Sequence, residues 1–288
     1  MTVQRIVSRG IDDAASAVQR SDAPLWLVLM AKLGYASRGI VYLVIGALAL
    51  FRAAGWGGDT ANTRAALRHV LGATGGTALL WVLTAGLGGY ALWRLCQSLL
   101  DADDKGDGPR ALAARAGLFI SACTHGGLGV YAGYLATHAF ASDSGQDGPS
   151  VRSLSAMVLG WPGGSWLVAG AGVCVVIVGT THFVRSFGIR FADPLVLSRR
   201  TLTLLAPICK FGLVARGLAL VFIGALAIHA GLTQQPDEAG GLREVLQGIA
   251  AQPFGAWLLG AMGSGLMAFG LYSLIESAFR EIDGPGDG

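Results

Sequence analysis

Charge is scarce in this chain. Only 14% of its 288 residues are Asp, Glu, Lys or Arg, against roughly a quarter in an average soluble domain. So few charged side chains cannot clothe a globular surface of this size, which sets the soluble classes aside. The net charge of +3 is small, and the bases lie at the ends of apolar runs without interleaved aromatics, so no nucleic-acid partner is expected. The four cysteines, Cys96, Cys123, Cys174 and Cys209, have no CxxC spacing. They are expected to be reduced packing residues rather than metal ligands or a disulfide frame. HExxH, Walker and GxSxG patterns are absent, as are carboxylates clustered on a helix face. An enzyme is therefore the weakest reading, and no catalytic, metal or cofactor residue is assigned. Charges of both signs before Pro24, and the early arrival of Lys32, argue against a cleavable leader.

Apolar residues and glycine take the place of charge. The hydrophobic fraction is 53%, the mean hydropathy +0.56, and there are 44 glycines, a combination suited to closely packed transmembrane helices. Six runs are long enough to span a bilayer, at about 33–53, 77–100, 114–137, 165–187, 208–231 and 254–279. Residues 25–31 are read as an approach to the first of them. Three short amphipathic stretches, Thr63 to Leu71, Val151 to Leu159 and Leu242 to Pro253, precede spans two, four and six. The polar segment before Pro24 is either a short surface helix or a loose tail.

The runs repeat. Lys32 to Leu50 (KLGYASRGIVYLVIGALAL) returns at Lys210 to Ile228 (KFGLVARGLALVFIGALAI) with nine of nineteen positions identical. A weaker copy from Arg115 keeps Gly117, Gly129 and Ala132 in register with Gly34, Gly46 and Ala49. The fold class expected is thus an all-α integral membrane protein of six transmembrane helices in three helical-hairpin repeats. Its parts are an N-terminal segment 1–31, repeats 32–110, 111–200 and 201–280, and a tail 281–288. Two spans per repeat start every copy on the same face, so the copies should be related by rotation about the membrane normal, giving a pseudo-threefold bundle. Fourteen Lys and Arg residues fall on one side and five on the other, which places both termini in the cytoplasm. Gly129 with Gly133, and Ala85 with Gly89, are expected to mediate helix contacts.

The repeated GxxxRG motif, Gly34 to Gly39 with Arg38 and Gly212 to Gly217 with Arg216, in three two-helix units, resembles the bacterial membrane domain-of-unknown-function family 1206. The middle copy has Ser121 and Ala122 where the outer copies have Arg and Gly. The resemblance covers about Lys32 to Arg280. It implies a six-helix inner-membrane protein of three tandem repeats, and transfers no activity or catalytic residue.

Arg38 and Arg216 lie about 9 Å along the helix beyond Lys32 and Lys210. A guanidinium at that depth snorkels, pairs or lines a wet cavity. Glu276 is the one carboxylate well inside an apolar run, and Gln97 takes its place when WRLCQS is laid on YSLIES. Glu276 lies where an arginine from span five or span one could meet it, and the expected structural pair is Arg216 with Glu276, across spans five and six. His125 and His182 invite a haem or proton-relay reading. Their depths differ by about 9 Å, however, and both are expected to be packing residues.

Two functions compete. In a transport or channel-like protein for a small solute or ion, Thr84, Ser121, Thr124, Thr180, Thr181 and Ser273 would line an axial space with the histidines. In a non-catalytic assembly subunit, the outer helices and the basic loop would meet a protein partner or a second copy, and the axis would be packed. The bilayer is the surroundings in either case.

Overall fold

The computed structural model describes residues 25–56, 63–101, 106–138, 151–188, 192–193 and 195–282. The segment before Leu25, residues 102–105 of the loop Asp101 to Arg110, the loop Ser142 to Ser150 and the tail after Ile282 lie outside the described residues. Among the described residues, six long helices and three short ones run in the order long, short, long three times over: α1 (Leu25–Ala53), α2 (Thr63–Leu71), α3 (Gly76–Leu99), α4 (Pro109–Thr137), α5 (Val151–Leu159), α6 (Gly164–Ser186), α7 (Arg199–Thr233), α8 (Leu242–Ala250) and α9 (Gly255–Phe279). Five of the long helices are apolar enough to cross a membrane by length and composition. The exception is α4, where His125, Thr124 and glycines dilute the apolar run.

Two boundaries differ from the sequence expectation. Helix α1 begins at Leu25 rather than near residue 33, because Val28 and Ala31 are fully buried and Lys32 has partners within the protein. Helix α7 begins at Arg199 and runs through Pro207. Its first turn is held by Ser198, whose hydroxyl accepts from Thr201 N at 3.3 Å, and a helix of 35 residues tolerates the one missing N–H. Helix α4 opens with Pro109 in its first turn, a position that needs no N–H donor.

Each second helix starts from the same corner. Gly75, Gly163 and Phe254 cap α3, α6 and α9 with φ of 76°, 75° and 60°. The following Gly76, Gly164 and Gly255 press so closely on the carbonyls of Val70, Val158 and Ala250 that a β-carbon has no room. Glycine takes such left-handed backbone freely, and Phe254 does so at a cost.

The most extensive contacts join neighbouring repeats: α6 with α7, α9 with α1, and α3 with α4. Small residues spaced by seven make the first two. Gly39 and Gly46 of α1 face Gly270 and Gly263 of α9, and Gly217 and Gly224 of α7 face Gly179 and Gly172 of α6. A β-carbon on Gly39 would come within 2.9 Å of Gly270 O, and one on Gly217 within 2.8 Å of Gly179 O. Such an approach lets backbones gain dispersion contacts that bulkier residues forbid. The third contact is looser, since a β-carbon on Gly129 would find Gly88 N only at 3.4 Å. Gly129 and Gly133 both meet α3, as expected. Ala85 and Gly89 do not act as a pair. Ala85 is exposed, and Gly86 with Gly89 supports α1 instead, because the helix turns that face toward Ser37 and Met30.

Within repeats, α1 packs on α3 and α7 on α9, whereas α4 and α6 barely touch. The long helices thus follow one another as α4, α3, α1, α9, α7, α6, with a thin seam between the last and the first. The short helices repeat the imbalance. Leu67 of α2 and Leu246 of α8 are fully buried, while α5 buries only Ser155 and exposes Val151, Leu154 and Met157.

Candidate functional site

One basic residue stands at the matching place within each first helix, Lys32, Arg115 and Lys210, and in two copies it closes the end of a neighbour. Lys32 Nζ donates to the carbonyls of Ser277, Ala278 and Arg280 at 3.3, 2.9 and 3.2 Å. Ser277 Oγ donates back to Lys32 O at 2.8 Å. Arg115 does the same for α3, with Nε on Ser98 O at 2.8 Å and a terminal nitrogen on Leu99 O at 3.1 Å, and Ser98 Oγ donates to Arg115 O at 2.8 Å. Free carbonyls at a helix C-terminus attract cations, so these latches neutralise α9 and α3 while binding them to α1 and α4. The corresponding Ser186 turns instead to Phe183 O in its own helix, and Lys210 has no hydrogen bond among the described residues.

Six residues further in, Arg38 is 8% exposed and fully engaged. It forms an ion pair with Glu276, donates from Nε to Ser273 Oγ at 3.1 Å and reaches Tyr90 Oη at 2.7 Å. The rings of Tyr35, Tyr90 and Phe269 surround it, with centroids 5.0 to 5.3 Å from the guanidinium carbon. Arg280 holds the other oxygen of Glu276 at 3.0 Å. Arg94 extends the network to Tyr90 Oη and, at 2.9 Å, to Gln97 Oε1. Glu276 and Gln97 are both buried. In a place without water, a carboxylate clasped by two guanidiniums is the arrangement that offsets desolvation.

The expected Arg216–Glu276 pair does not form. Helix α9 lies against α1 along its glycine face, which aims Glu276 at Arg38. Arg216 is half-buried over the rings of Tyr42 and Phe269, at 4.9 and 5.9 Å, with no carboxylate partner among the described residues. The choice was a matter of which neighbour α9 packs on most closely, and span depth does not carry that.

The pore-lining set also disperses. Thr124, Thr180 and Thr181 are exposed, and their hydroxyls bond to the backbone of their own helices, at Ser121 O, Val176 O and Val178 O. A threonine in an apolar helix satisfies itself that way without a partner helix. Thr84 bonds to Leu80 O, and Ser273 is taken by Arg38. The core holds apolar side chains instead: Ile45, Leu67, Leu80, Leu83, Leu246 and Leu266 are fully buried in one cluster.

His125 and His182 do face inward. Each directs Nδ1 to a carbonyl one turn back, Ser121 O at 2.8 Å and Val178 O at 2.9 Å, which leaves Nε2 as the ring atom open to another group. His125 meets the edge of Tyr90 at 4.7 Å, and His182 stands 6.2 Å from Phe269. His125 thus shares the Tyr90 ring with Arg38, and His182 shares the Phe269 ring with Arg216. Ser121 stays beside His125 as a half-buried neighbour. The site is thus a basic, aromatic interior behind the α4–α6 seam. Sequence reading missed Tyr90, Arg94 and Arg280, although the fourfold spacings of Tyr90 with Arg94 and Glu276 with Arg280 were signals that these pairs share a helix face.

Comparison with known proteins agrees with the repeats. The family described as Domain of Unknown Function (DUF1206) matches residues 33–101, 116–188 and 211–280. "Uncharacterized protein YxxB" of Bacillus subtilis (strain 168) is 27% identical over 276 residues, covering 94% of this chain and 97% of that one. No solved structure matches.

Proposed function

Because the chain belongs to the Domain of Unknown Function (DUF1206) family, whose pattern recurs on each helix pair, we propose a bacterial inner-membrane protein that handles a small solute through the side of its bundle. In this reading all six long helices span the membrane, α4 included, with both termini in the cytoplasm. The three helix pairs are related by a pseudo-threefold rotation. The observation that carries the functional reading is the seam: α4 and α6 barely touch, whereas the matching pairs α1–α3 and α7–α9 are closed. Behind it lie His125, His182 and Arg216. Solute enters and leaves there while the apolar axis stays shut.

A second reading, a non-catalytic assembly subunit, draws support from α5. Val151, Leu154 and Met157 form an exposed apolar face there, where α2 and α8 bury theirs. One preparation separates the two. Gly117→Cys and Val178→Cys place thiols where α4 and α6 do approach, the built β-carbon of Gly117 being 3.3 Å from Val178 Cγ2; the native cysteines are replaced by Ser or Ala. Vesicle orientation is set by an impermeant thiol reagent that labels Asp237→Cys from outside and Arg199→Cys only after permeabilisation. Phosphate, acetate and chloride serve as flux probes. Cross-linking the seam should slow the flux of at least one about tenfold, with recovery on reduction. Flux indifferent to the cross-link, or no flux of any probe, removes the transport reading and leaves the assembly one.

A further inference from the structure

The glycine contacts align α6–α7 on α9–α1 residue by residue. Gly179 faces Gly217 as Gly270 faces Gly39, and Gly172 faces Gly224 as Gly263 faces Gly46. Under that alignment Arg216 stands for Arg38 and Lys210 for Lys32. His182 falls where Ser273 is, and Arg185 falls where Glu276 is. Phe269 takes the place of Tyr90 against the first helix, and the contacts agree, since Gly34 abuts Tyr90 as Gly212 abuts Phe269. Every acceptor that holds Arg38 has thus been replaced. The carboxylate is a second guanidinium, the serine an imidazole and the phenol a bare ring.

Among the described residues, Arg216, Arg185 and Lys210 have no hydrogen bond and no ion pair, while Arg38, Glu276 and Lys32 all do. Arg216 and His182 stand by the same Phe269 ring, at 5.9 and 6.2 Å, and Arg185 follows three residues on from His182, whose Nδ1 is already committed to Val178 O. Like charges at a membrane interface repel, and a half-buried guanidinium without an acceptor is expensive, unless an anion joins them. We infer that the cytoplasmic half of the α6–α7 seam binds a phosphate oxyanion, held by Arg216 and Arg185 with His182 beside it and Lys210 at its mouth. This names a ligand class for the solute reading, but binding without flux would leave it standing while sinking transport.

The anion has two possible sources, and the test distinguishes them. Purified protein is titrated with inorganic phosphate in a neutral detergent, following the shift in unfolding temperature. The same protein is taken from nanodiscs of phosphatidylglycerol or phosphatidylcholine for native mass spectrometry. A saturable phosphate shift assigns the site to the free ion, and retained phosphatidylglycerol without a shift assigns it to a lipid headgroup. Arg185→Glu recreates the Arg38–Glu276 arrangement at an exposed position. It should give Arg216 an internal partner, raise the unfolding temperature, and weaken whichever binding is seen by about tenfold or more. Arg216→Gln should weaken it similarly, and Arg185→Lys should retain most of it. The inference is overturned if neither anion binds the wild type, or if binding survives both Arg185→Glu and Arg216→Gln in monodisperse protein.

Discussion

At the α1–α9 seam Arg38 pairs with Glu276, and at the matching α6–α7 seam Arg185 holds the register of that glutamate and Arg216 has no carboxylate among the described residues. The two seams share glycine spacing, backbone approach and basic residues at helix ends. They differ in what fills the polar positions one or two turns from the basic residues Lys32 and Lys210. The first has become a closed knot in which Arg38, Glu276, Arg280, Ser273 and Tyr90 satisfy one another. The second keeps the packing and leaves its cations open. Duplicated architecture lets one copy carry a buried ion pair while another does without it, because close glycine contact holds the helices together without polar help.

The largest effect expected from breaking this contrast is at Glu276. Glu276→Gln or Arg38→Gln leaves a buried charge or its partner uncompensated and should cost about 3–5 kcal/mol, read as loss of cooperative unfolding temperature in detergent. The double variant should recover part of that loss, whereas Arg216→Gln should cost less than either single change. Equal losses at Arg38 and Arg216 would mean that the two seams are energetically alike.

A smaller effect tests the looseness of the middle copy. Gly34→Ala and Gly212→Ala push a methyl into the backbone at Tyr90 and Phe269, whereas Gly117→Ala meets only Val178 Cγ2 at 3.3 Å. The first two should each cost about 1–3 kcal/mol. Gly117→Ala should be neutral or gain up to about 1 kcal/mol from helix propensity. Thermal unfolding of the three single variants reads the ranking, and a large loss at Gly117 would show the α4–α6 seam to be tighter than its geometry implies.

The smallest effect concerns the corners before the second helices. Phe254 is 80% exposed at φ 60°, where the other copies have glycine. Phe254→Gly should stabilise by roughly 0.5–1 kcal/mol, as relief of left-handed strain. A loss instead would show that the ring anchors the protein at the membrane surface by more than the strain costs.

The repeat itself was legible in sequence, because GxxxRG returns with its surroundings intact, and so were the short outer helices, whose amphipathic spacing appears three times. The arginines and Glu276 stood out for being charged within apolar runs. Their pairing did not, since Arg38 and Arg216 have the same motif and the same depth. The hydroxyls misled for a similar reason: Thr124, Thr180 and Thr181 bond to their own helices, and a side chain that satisfies itself says nothing about which way it faces.

What the sequence determined alone is therefore local and periodic. It set helix length from apolar runs, the short outer helices from amphipathic stretches, and three copies from internal identity. Tertiary structure decided which second helix lies on which first helix, and so which arginine receives the carboxylate. The apolar faces are too alike in composition to encode that preference. Seven-residue glycine faces choose the neighbour by how closely two backbones can approach, and the fate of every buried charge follows from that choice.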